Sequence, residues 1–417
     1  MNISKLQTLK GFRDFLPEVL EKRQYALNII TKTFELYGFK PLETPALEYQ
    51  ELLLGKYGDE ADKLVYQFQD KGGRNVALRY DQTVPTARVL AQYEKLLPMP
   101  WRRYQIQPVW RAEKPQRGRF REFLQCDADI YGSSSFLADA EIIALTNAVF
   151  KNLGFKNFKI FINDRSILFS LMKDANISGD LHLPVISTID KLDRKTKEET
   201  EAELIEKGLS PETVNLLFEK IDSVKPTPNV LEMMKYSIAL GVEKNKLFFQ
   251  ARLARGLNYY TSTIFELKID EYKVGSVAGG GRYDKLIGAL SGTNIPAVGI
   301  AFGFDRTIEA MQEQKLFPEN LTKSSVLVSI FNRSLAEMSA LVTENLRANR
   351  ISAEFFPETT LSLKKQLKYA DKKGITWLIV IGPDEVKKNK VLLKNLKTGY
   401  QEDVLLKDLV GKIKSNR

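Results

Sequence analysis

The stretch from Arg119 to Ile130 alternates between polar and apolar side chains, and its polar members are of types that bind charged ligands. In an extended strand, alternate side chains share one face. Arginine suits phosphate oxygens because its guanidinium fork is bidentate and always charged, and a phenyl ring can stack on a nucleobase. One face of this predicted strand carries Arg119, Arg121, Phe123, Gln125, Asp127 and Asp129.

A second predicted strand precedes this one, and the turn Lys114–Gly118 joins the two as an antiparallel hairpin. The first strand ends with Arg111 and Glu113 on one face, so that the hairpin gathers arginines, acids, a glutamine and a phenyl ring on one surface. The opposite face is apolar, and Cys126 on it is expected to be a small core residue. A solvent-facing sheet laced with salt bridges would show the same pattern, and the alternation alone does not decide between the two.

The surrounding sequence predicts the elements that hold this hairpin in place. A helix with apolar residues at helical spacing is expected to end at Gly38. From about 168 to 245 the sequence becomes helical and charged, which we interpret as a helical insertion. Helices are predicted over 18–37, 84–97 and 138–153, and strands over 246–267 and 274–278.

Residues 313–325 are predicted to be a linker, after which strands and helices alternate. That alternation is typical of a small α/β domain with a parallel sheet. From Ser324 onward the chain carries 17 Lys and Arg against 10 Asp and Glu, which accounts for +7 of its net charge of +10. A basic module indicates a polyanionic partner, although a solvated lysine-rich surface gives the same count. We therefore predict one domain over 1–320 and a second over 325–417.

Composition excludes several classes of site. The chain has 417 residues, enough for two or three domains. Its one cysteine, Cys126, and its one histidine, His182, leave no intrachain disulfide and no Cys/His zinc cage, and we predict no metal site on the protein. No signal peptide or membrane-length apolar run is visible, which predicts a cytoplasmic protein without membrane contact. The Walker phosphate loop is also absent from the sequence.

Several motifs together resemble the histidyl members of the class II aminoacyl-tRNA synthetases. Motif 2 of that family resembles RAEKPQRGRFREFLQCDAD, which starts at Arg111. The resemblance implies a class II catalytic domain, an antiparallel sheet flanked by helices with a helical insertion, followed by a C-terminal α/β anticodon-binding domain. Further segments resemble the family's other motifs in the family's order, namely GFRD from Gly11, LRYDQTVP from Leu78, RGLNYYT from Arg255, GGGRYD from Gly279 and GFDR from Gly303.

The resemblance also implies a reaction in two steps. The carboxylate of histidine attacks the α-phosphate of ATP, and histidine then passes from the adenylate to the 3′ end of its tRNA. Arg255 and Arg111 would be the catalytic residues, since they would hold the α-phosphate and the attacking carboxylate, and Mg²⁺ would accompany ATP. The implied ATP-binding residues are Arg111, Glu113 near the adenine amino group or the neighbouring phosphate, Arg119 and Arg306 at the γ-phosphate, and Phe123 stacked on adenine.

The same resemblance implies a pocket for histidine. Asp81, Thr83 and Gln125 would bind the α-amino group, while Asp129 and Tyr260 would meet the two imidazole nitrogens. The tyrosine that precedes Tyr260 would point the other way if this stretch is a strand. The full implied set of histidine-binding residues is Asp81, Thr83, Arg111, Gln125, Asp129, Arg255, Tyr259 and Tyr260.

Two alternatives and one departure accompany this interpretation. Asn258 stands where the family usually has Asp, and we expect a supporting role for it. A non-catalytic regulatory subunit of ATP phosphoribosyltransferase resembles the catalytic domain, but that class lacks the anticodon-binding domain. A prolyl or threonyl synthetase would not explain RGLNYY together with GGGRYD. The implied partners are L-histidine, ATP, the histidine tRNA and a second copy of the chain, which would form a homodimer through motif 1.

Overall fold

The computed structural model describes residues 6–54, 64–193, 195–254, 259–318, 321 and 326–415. The chain divides into two compact units, Met1–Phe317 and Pro318–Arg417. Within the described ranges, no helix combines the length and the apolar character that a membrane crossing requires. The catalytic arginine predicted at Arg255 and the departure at Asn258 lie outside the described residues.

Helices and strands are mixed throughout the first unit. In chain order they are α1 (Pro17–Leu36), β1 (Lys40–Pro41), β2 (Leu47–Tyr49), α2 (Gln50–Leu53), β3 (Gln67–Gln69), β4 (Asn75–Leu78), α3 (Thr83–Tyr93), β5 (Trp101–Trp110), β6 (Glu122–Tyr131), α4 (Phe136–Asn152), β7 (Phe158–Asp164), α5 (Arg165–Asp174), α6 (His182–Ile189), α7 (Lys197–Glu206), α8 (Pro211–Ser223), α9 (Pro228–Ala239), β8 (Leu247–Phe249), β9 (Thr263–Ile269), β10 (Ala278–Arg282), α10 (Gly288–Ser291), β11 (Ala297–Gly303) and α11 (Phe304–Glu313).

Among the residues described, the central sheet has eight strands in the order β1-β5-β6-β11-β10-β9-β7-β8. All interior pairs are antiparallel, and only the two edge pairs, β1 with β5 and β7 with β8, are parallel. Helices α1, α4 and α9 cover the apolar side of this sheet, where Cys126 is fully buried. The predicted fold class, a sheet flanked by helices, is confirmed, and so is the core position of Cys126.

Helix α1 follows directly from its sequence. Pro17 occupies its first turn, where the missing N–H costs nothing, and Ile30 and Phe34 are buried on its core side. The centroids of the Phe34 ring and of the Tyr104 ring on β5 are 5.5 Å apart. The helix therefore packs against the strand that carries the predicted site. The chain leaves the helix at Gly38, whose φ of +78° suits glycine, as predicted.

The loop before α3 is held by a fully buried guanidinium group. Arg79 donates from Nε to the carbonyl of Pro108 at 3.0 Å, and from Nη1 to the carbonyls of Thr44 and Pro45. These bonds join the segment after β1 and the end of β5 to the loop that enters α3. The small sheet β2-β4-β3 lies immediately before that loop. Backbone carbonyls, rather than carboxylates, therefore satisfy this buried arginine.

The segment predicted as a helical insertion divides between two cores. Helices α5 to α8 share a core of their own, which includes Leu168, Val185, Leu204 and Phe218. Helix α9 packs against α4 instead, and its buried residues belong to the core of the main sheet. The last helix of the predicted span is thus part of the catalytic core.

The elements of the second unit are β12 (Val326–Val328), α12 (Ala336–Ala348), β13 (Ala353–Phe355), α13 (Leu363–Lys372), β14 (Trp377–Val380), α14 (Pro383–Lys387), β15 (Lys390–Asn395), β16 (Gln401–Leu405) and α15 (Leu409–Ser415). In the described part of this unit, the strands form a mixed sheet in the order β13-β12-β14-β15-β16. Strands β13, β12 and β14 are parallel, but β14, β15 and β16 are antiparallel, so that the prediction of a parallel sheet is wrong for the last two strands. The linker between β15 and β16 is too short for the crossover that parallel strands need.

Candidate active site

The polar face of β6 forms the floor of the candidate site. In the register of the β5–β6 pair, Arg103 lies opposite Asp129, and Gln107 lies opposite Gln125. Phe123 is on the same face, six residues before Asp129, which corresponds to about 20 Å along an extended strand. The alternation of β6 therefore matches its prediction: the odd residues form one polar face, and the even residues beyond the exposed Glu122 face the core.

The connection between β5 and β6 is longer than the sequence predicted. It runs over 111–121, so that Glu113 and Arg119 lie outside the strands, and the prediction of a strand from Arg119 is wrong. Gln116 and Arg119 form an isolated antiparallel bridge, and Gly118 between them has a φ of +67°. This local turn uses the backbone groups that a longer strand pair would need.

Arg111 lies between the loop before α3 and the ring of Phe123. Its Nε donates to the carbonyl of Tyr80 at 3.0 Å, and its guanidinium carbon lies 5.2 Å from the centroid of the Phe123 ring. Its peptide N–H donates to the carbonyl of Arg121. The structure thus brings together the predicted α-phosphate arginine and the predicted adenine-stacking ring.

Three of the predicted ATP-binding residues meet at the tip of the β5–β6 connection. Glu113 and Arg119 form an ion pair of 3.1 Å, and both side chains are partly exposed. Arg306, near the start of α11, donates from Nε to the carbonyl of Gly118 at 3.1 Å and from Nη1 to that of Ser276 at 2.8 Å. Arg306 therefore fixes the tip of the connection against the body of the unit.

The first residues of α3 are bonded to the strand pair. Asp81 accepts from the N–H of Val84 at 3.3 Å, and Thr83 is the first residue of the helix. Gln82 donates from Nε2 to the carbonyls of Gln107 at 2.9 Å and Gln125 at 3.2 Å. Sequence reasoning missed Gln82, although it stands between two predicted binding residues. Its bonds bring the predicted amino-group ligands of the loop and of β6 to one place.

Asp129 is buried and has two protein partners. Arg103 forms an ion pair of 2.7 Å with one carboxylate oxygen, and the hydroxyl of Tyr283 donates to the other. Burial raises the pKa of Asp129, while Arg103 and the Tyr283 hydrogen bond oppose that rise. Neither Arg103 nor Tyr283 could be assigned a role from the sequence, because their contacts depend on how distant segments pair rather than on spacing along one strand.

Glycines on β10 and β11 allow a close approach around this carboxylate. A Cβ added to Gly299 would lie 1.7 Å from Oδ1 of Asp129, and one on Gly280 would lie 2.0 Å from the carbonyl oxygen of Gly299. A Cβ on Gly281 would lie 2.9 Å from the ring of Tyr260. The glycines of the GGGRYD motif therefore serve tight strand packing, and they seat one of the predicted histidine-binding tyrosines against β10.

The rings of Tyr259 and Tyr260 do not point in opposite directions. Their centroids are 4.5 Å apart and their hydroxyl oxygens 3.4 Å apart, because β9 begins only at Thr263 and the pair is not part of a strand. Tyr259 also contacts Tyr283, with ring centroids 5.5 Å apart. Both tyrosines therefore belong to the aromatic cluster around the residue that bonds Asp129.

Asp127 is a further buried carboxyl group on the same face. It is 4% exposed, and its Oδ1 has no hydrogen-bond partner among the residues that the structure describes. Burial raises the pKa of Asp127 well above its ordinary value, against the opposing charge of Arg103. The sequence placed Asp127 on the polar face but assigned it no role.

Comparison with known proteins connects this geometry to a family. A family model described as histidyl-tRNA synthetase matches residues 11–307. The chain belongs to this family. A second family model, described as an anticodon binding domain, matches residues 325–416, which lie within the second unit.

Individual relatives agree with this membership. A curated histidine–tRNA ligase from Gloeobacter violaceus is 39% identical over 97% of both chains. The crystal structure of histidyl-tRNA synthetase from Nostoc sp. is 31% identical, with a TM-score of 0.82 over 99% of each chain. Both relatives match the whole length, and both carry the name of the ligase.

A structure whose name includes the alternative function is similar to this chain in fold. A structure from Bacillus halodurans, named as an ATP phosphoribosyltransferase regulatory subunit/histidyl-tRNA synthetase, is 21% identical, with a TM-score of 0.73 over 90% of this chain and 97% of that one. The regulatory-subunit alternative is therefore less supported than the ligase.

Proposed function

We propose that this chain is a histidine–tRNA ligase that activates L-histidine on the face of β6. The order of side chains along this strand carries the proposal. Phe123, Gln125 and Asp129 follow one another over about 20 Å, with the nucleobase platform at one end and the imidazole acceptor at the other. That is the order in which adenine, the amino group and the imidazole ring follow one another in a histidyl-adenylate.

Arg111 and Arg255 are proposed to act at the reacting phosphate. Arg111 uses its Nε on the carbonyl of Tyr80, and its terminal nitrogens bond to none of the other residues described. Those nitrogens can therefore receive the α-phosphate and the attacking carboxylate beside the Phe123 ring. Arg255 is assigned on its motif alone, as the second cation that stabilises charge developing on the phosphate. Positioning and charge stabilisation are what phosphoryl chemistry of this kind requires.

The triphosphate end is proposed to lie at the tip of the β5–β6 connection. Arg119 and Arg306 supply two guanidinium groups there, and Glu113 supplies a carboxylate next to Arg119. Across the described ranges, no group of three His, Cys, Asp or Glu side chains could hold a metal ion alone. Mg²⁺ in nucleotide sites is held largely by phosphates and water, so that we propose its entry as the ATP complex and assign it no step.

Histidine is proposed to bind between the loop before α3 and the tyrosine cluster. Asp81, Thr83 and Gln125 receive its amino group, while Asp129 and Tyr260 meet its two ring nitrogens. Arg103 and Tyr283 fix the orientation of the Asp129 carboxylate. A pocket whose buried polar groups need both ring nitrogens can reject other side chains by roughly 10⁴-fold without editing.

The second unit and the small sheet are proposed to contact macromolecules. Helix α13 carries lysines at positions 364, 365, 368 and 372, which suits the phosphate backbone of the histidine tRNA. Leu47, Tyr49 and Phe68 on the sheet β2-β4-β3 are exposed large apolar side chains, and we propose that a second copy covers them in a homodimer. Translation in the cytoplasm is the setting that this function implies.

ATP–pyrophosphate exchange with each of the standard amino acids in turn tests this proposal. We expect exchange with histidine alone, and a loss of about 10²–10³-fold in Arg111→Ala and in Arg255→Ala, since each removes one cation from the transition state. Arg102→Ala is the matched control, because that arginine pairs with Glu141 outside the site. Exchange with another amino acid would overturn the assignment, and exchange with none would favour the regulatory-subunit alternative.

A further inference from the structure

Three buried acceptor atoms in one part of the site have neither a hydrogen bond nor an ion pair among the residues that the structure describes. They are Oδ1 of Asp127, Oε1 of Gln125 and Oε1 of Gln82. Their residues are 4%, 9% and 0% exposed, and none of the three atoms accepts a hydrogen bond within the described part of the chain. Buried polar groups in native proteins are nearly always paired, so that three together indicate a ligand with several donors.

The backbone contacts bring these acceptors together. Asp127 is two residues beyond Gln125 on the same face of β6, and Gln82 is held against this strand by its bond to the carbonyl of Gln125 at 3.2 Å. Asp81, next to Gln82 in the loop before α3, is close enough to influence the charge state of Asp127. The acceptors therefore lie where β6 meets the start of α3.

Charged groups from three segments of the chain act on Asp127. Asp129 on β6 and Asp81 before α3 are the other carboxyl groups that act on it, and Arg103 on β5 and Arg111 after β5 are the guanidinium groups. These are the charged groups of the described set that act most strongly on Asp127. Asp127 itself forms no ion pair within it, whereas Arg103 is committed to Asp129.

We propose that Asp127 is a further substrate-binding residue, whose Oδ1 accepts a hydrogen bond from the α-ammonium group of the bound amino acid. This assignment rests on the proposed function and adds a residue to its amino-group site. An ammonium group offers three N–H donors and one positive charge, which match three unpaired acceptors, one of them an oxygen of a carboxylate that has no ion pair in the described set. An imidazole ring offers fewer donors, and the carboxylate assigned to it already bonds Arg103 and Tyr283.

Three ligands that differ in one group each separate the amino-group contact from the rest of the site. Histidine carries an ammonium, a carboxylate and an imidazole group. Histidinol lacks the carboxylate, and 3-(imidazol-4-yl)propionate lacks the ammonium. Calorimetric titration of the full-length chain measures their dissociation constants for the wild type, Asp127→Asn and Asp127→Ala. Glu122→Gln is the matched control, because Glu122 is an exposed carboxylate on the same strand that bonds the Trp110 indole instead.

We expect Asp127→Asn to raise the dissociation constants of histidine and histidinol by about 10–100-fold, which is the effect of losing a charged hydrogen bond. Asp127→Ala should raise them at least as much. The propionate should bind all variants within about twofold of the wild type, as should every ligand with Glu122→Gln. An equal loss for all three ligands would overturn the assignment, since Asp127 would then shape the site without meeting the ammonium. Unchanged histidine binding would overturn it as well.

The two proposals fail in different ways. If the wild-type chain binds histidine and Asp127→Asn binds it equally well, only the assignment of Asp127 is overturned. If the wild-type chain does not bind histidine, the proposed function is overturned, and the assignment of Asp127 with it. Thermal unfolding of each variant verifies that the comparison is made between folded proteins.

Discussion

Replacing Arg103 by methionine tests how much the buried ion pair between Arg103 and Asp129 contributes to the stability of the protein. The Arg103 side chain is 0% exposed and that of Asp129 is 6% exposed, with 2.7 Å between the two groups. Removing one partner of such a pair leaves a buried charge without compensation, which costs about 3–5 kcal/mol. Arg103→Met should therefore lower the free energy of unfolding by that amount near neutral pH.

The neighbouring residue supplies a control with the same geometry and different burial. Arg102 pairs with Glu141, also at 2.7 Å, but the side chains are 36% and 23% exposed. Exposed pairs contribute about 0–1 kcal/mol, so that Arg102→Met should lose at most that much. Urea unfolding of both variants beside the wild type measures the difference, and an equal loss in the two would refute the reasoning from burial.

The loss in Arg103→Met should also depend on pH. Arg103 lowers the pKa of Asp129 against the effect of burial, and without it the pKa of this carboxyl rises further. Protonation then removes the buried charge, so that the loss should shrink as the pH falls. Arg103→Met/Asp129→Asn should recover part of the stability at neutral pH. A loss that is constant between pH 5 and pH 8 would contradict this explanation.

Three further predictions concern other parts of the chain. The melting temperature of Asp127→Asn should exceed that of the wild type at pH 7 and approach it toward pH 4. Burial raises the pKa of Asp127 in the folded state, so that the wild type loses stability as the pH rises above the pKa of this carboxyl in the unfolded state. Thermal unfolding measured from pH 4 to pH 7 tests the sign. Gly299→Ala should raise the KM for histidine at least tenfold and leave the KM for ATP within twofold, since the new Cβ would lie 1.7 Å from Oδ1 of Asp129; Gly179→Ala, with open space around it, is the control. A chain ending at Phe317, the boundary of the first unit, should keep pyrophosphate exchange and lose tRNA charging, and retained charging would contradict the role given to the second unit.

The sequence predicted those parts of the site that depend on local pattern. The two faces of β6 follow from alternation, and the end of α1 follows from Gly38, because both are set by residues close together in the chain. The tyrosine pair shows the limit of this reasoning. Alternation would separate the two rings, but Tyr259 and Tyr260 lie before β9 begins and contact each other.

Contacts between distant segments could not be predicted in the same way. Arg103 and Asp129 are 26 positions apart in the sequence, and only the register of β5 on β6 makes them partners. The orphaned acceptor of Asp127 is likewise a property of the closed structure, since a sequence cannot show which polar atoms stay unpaired. The mixed sheet of the second unit was missed for a related reason, because alternating helices and strands do not fix the direction of the last two strands.

The close contact between Gly299 and Asp129 constrains which residues evolution can place at the two positions. A carboxylate oxygen occupies the space that any side chain at position 299 would need. Substitutions at the two positions are therefore coupled. A lineage can acquire alanine at 299 only after the carboxylate at 129 has been shortened, lost or reoriented. Among relatives, we expect positions 299 and 129 to change together or not at all. A glycine at 299 is then a marker for an aspartate in the position of Asp129.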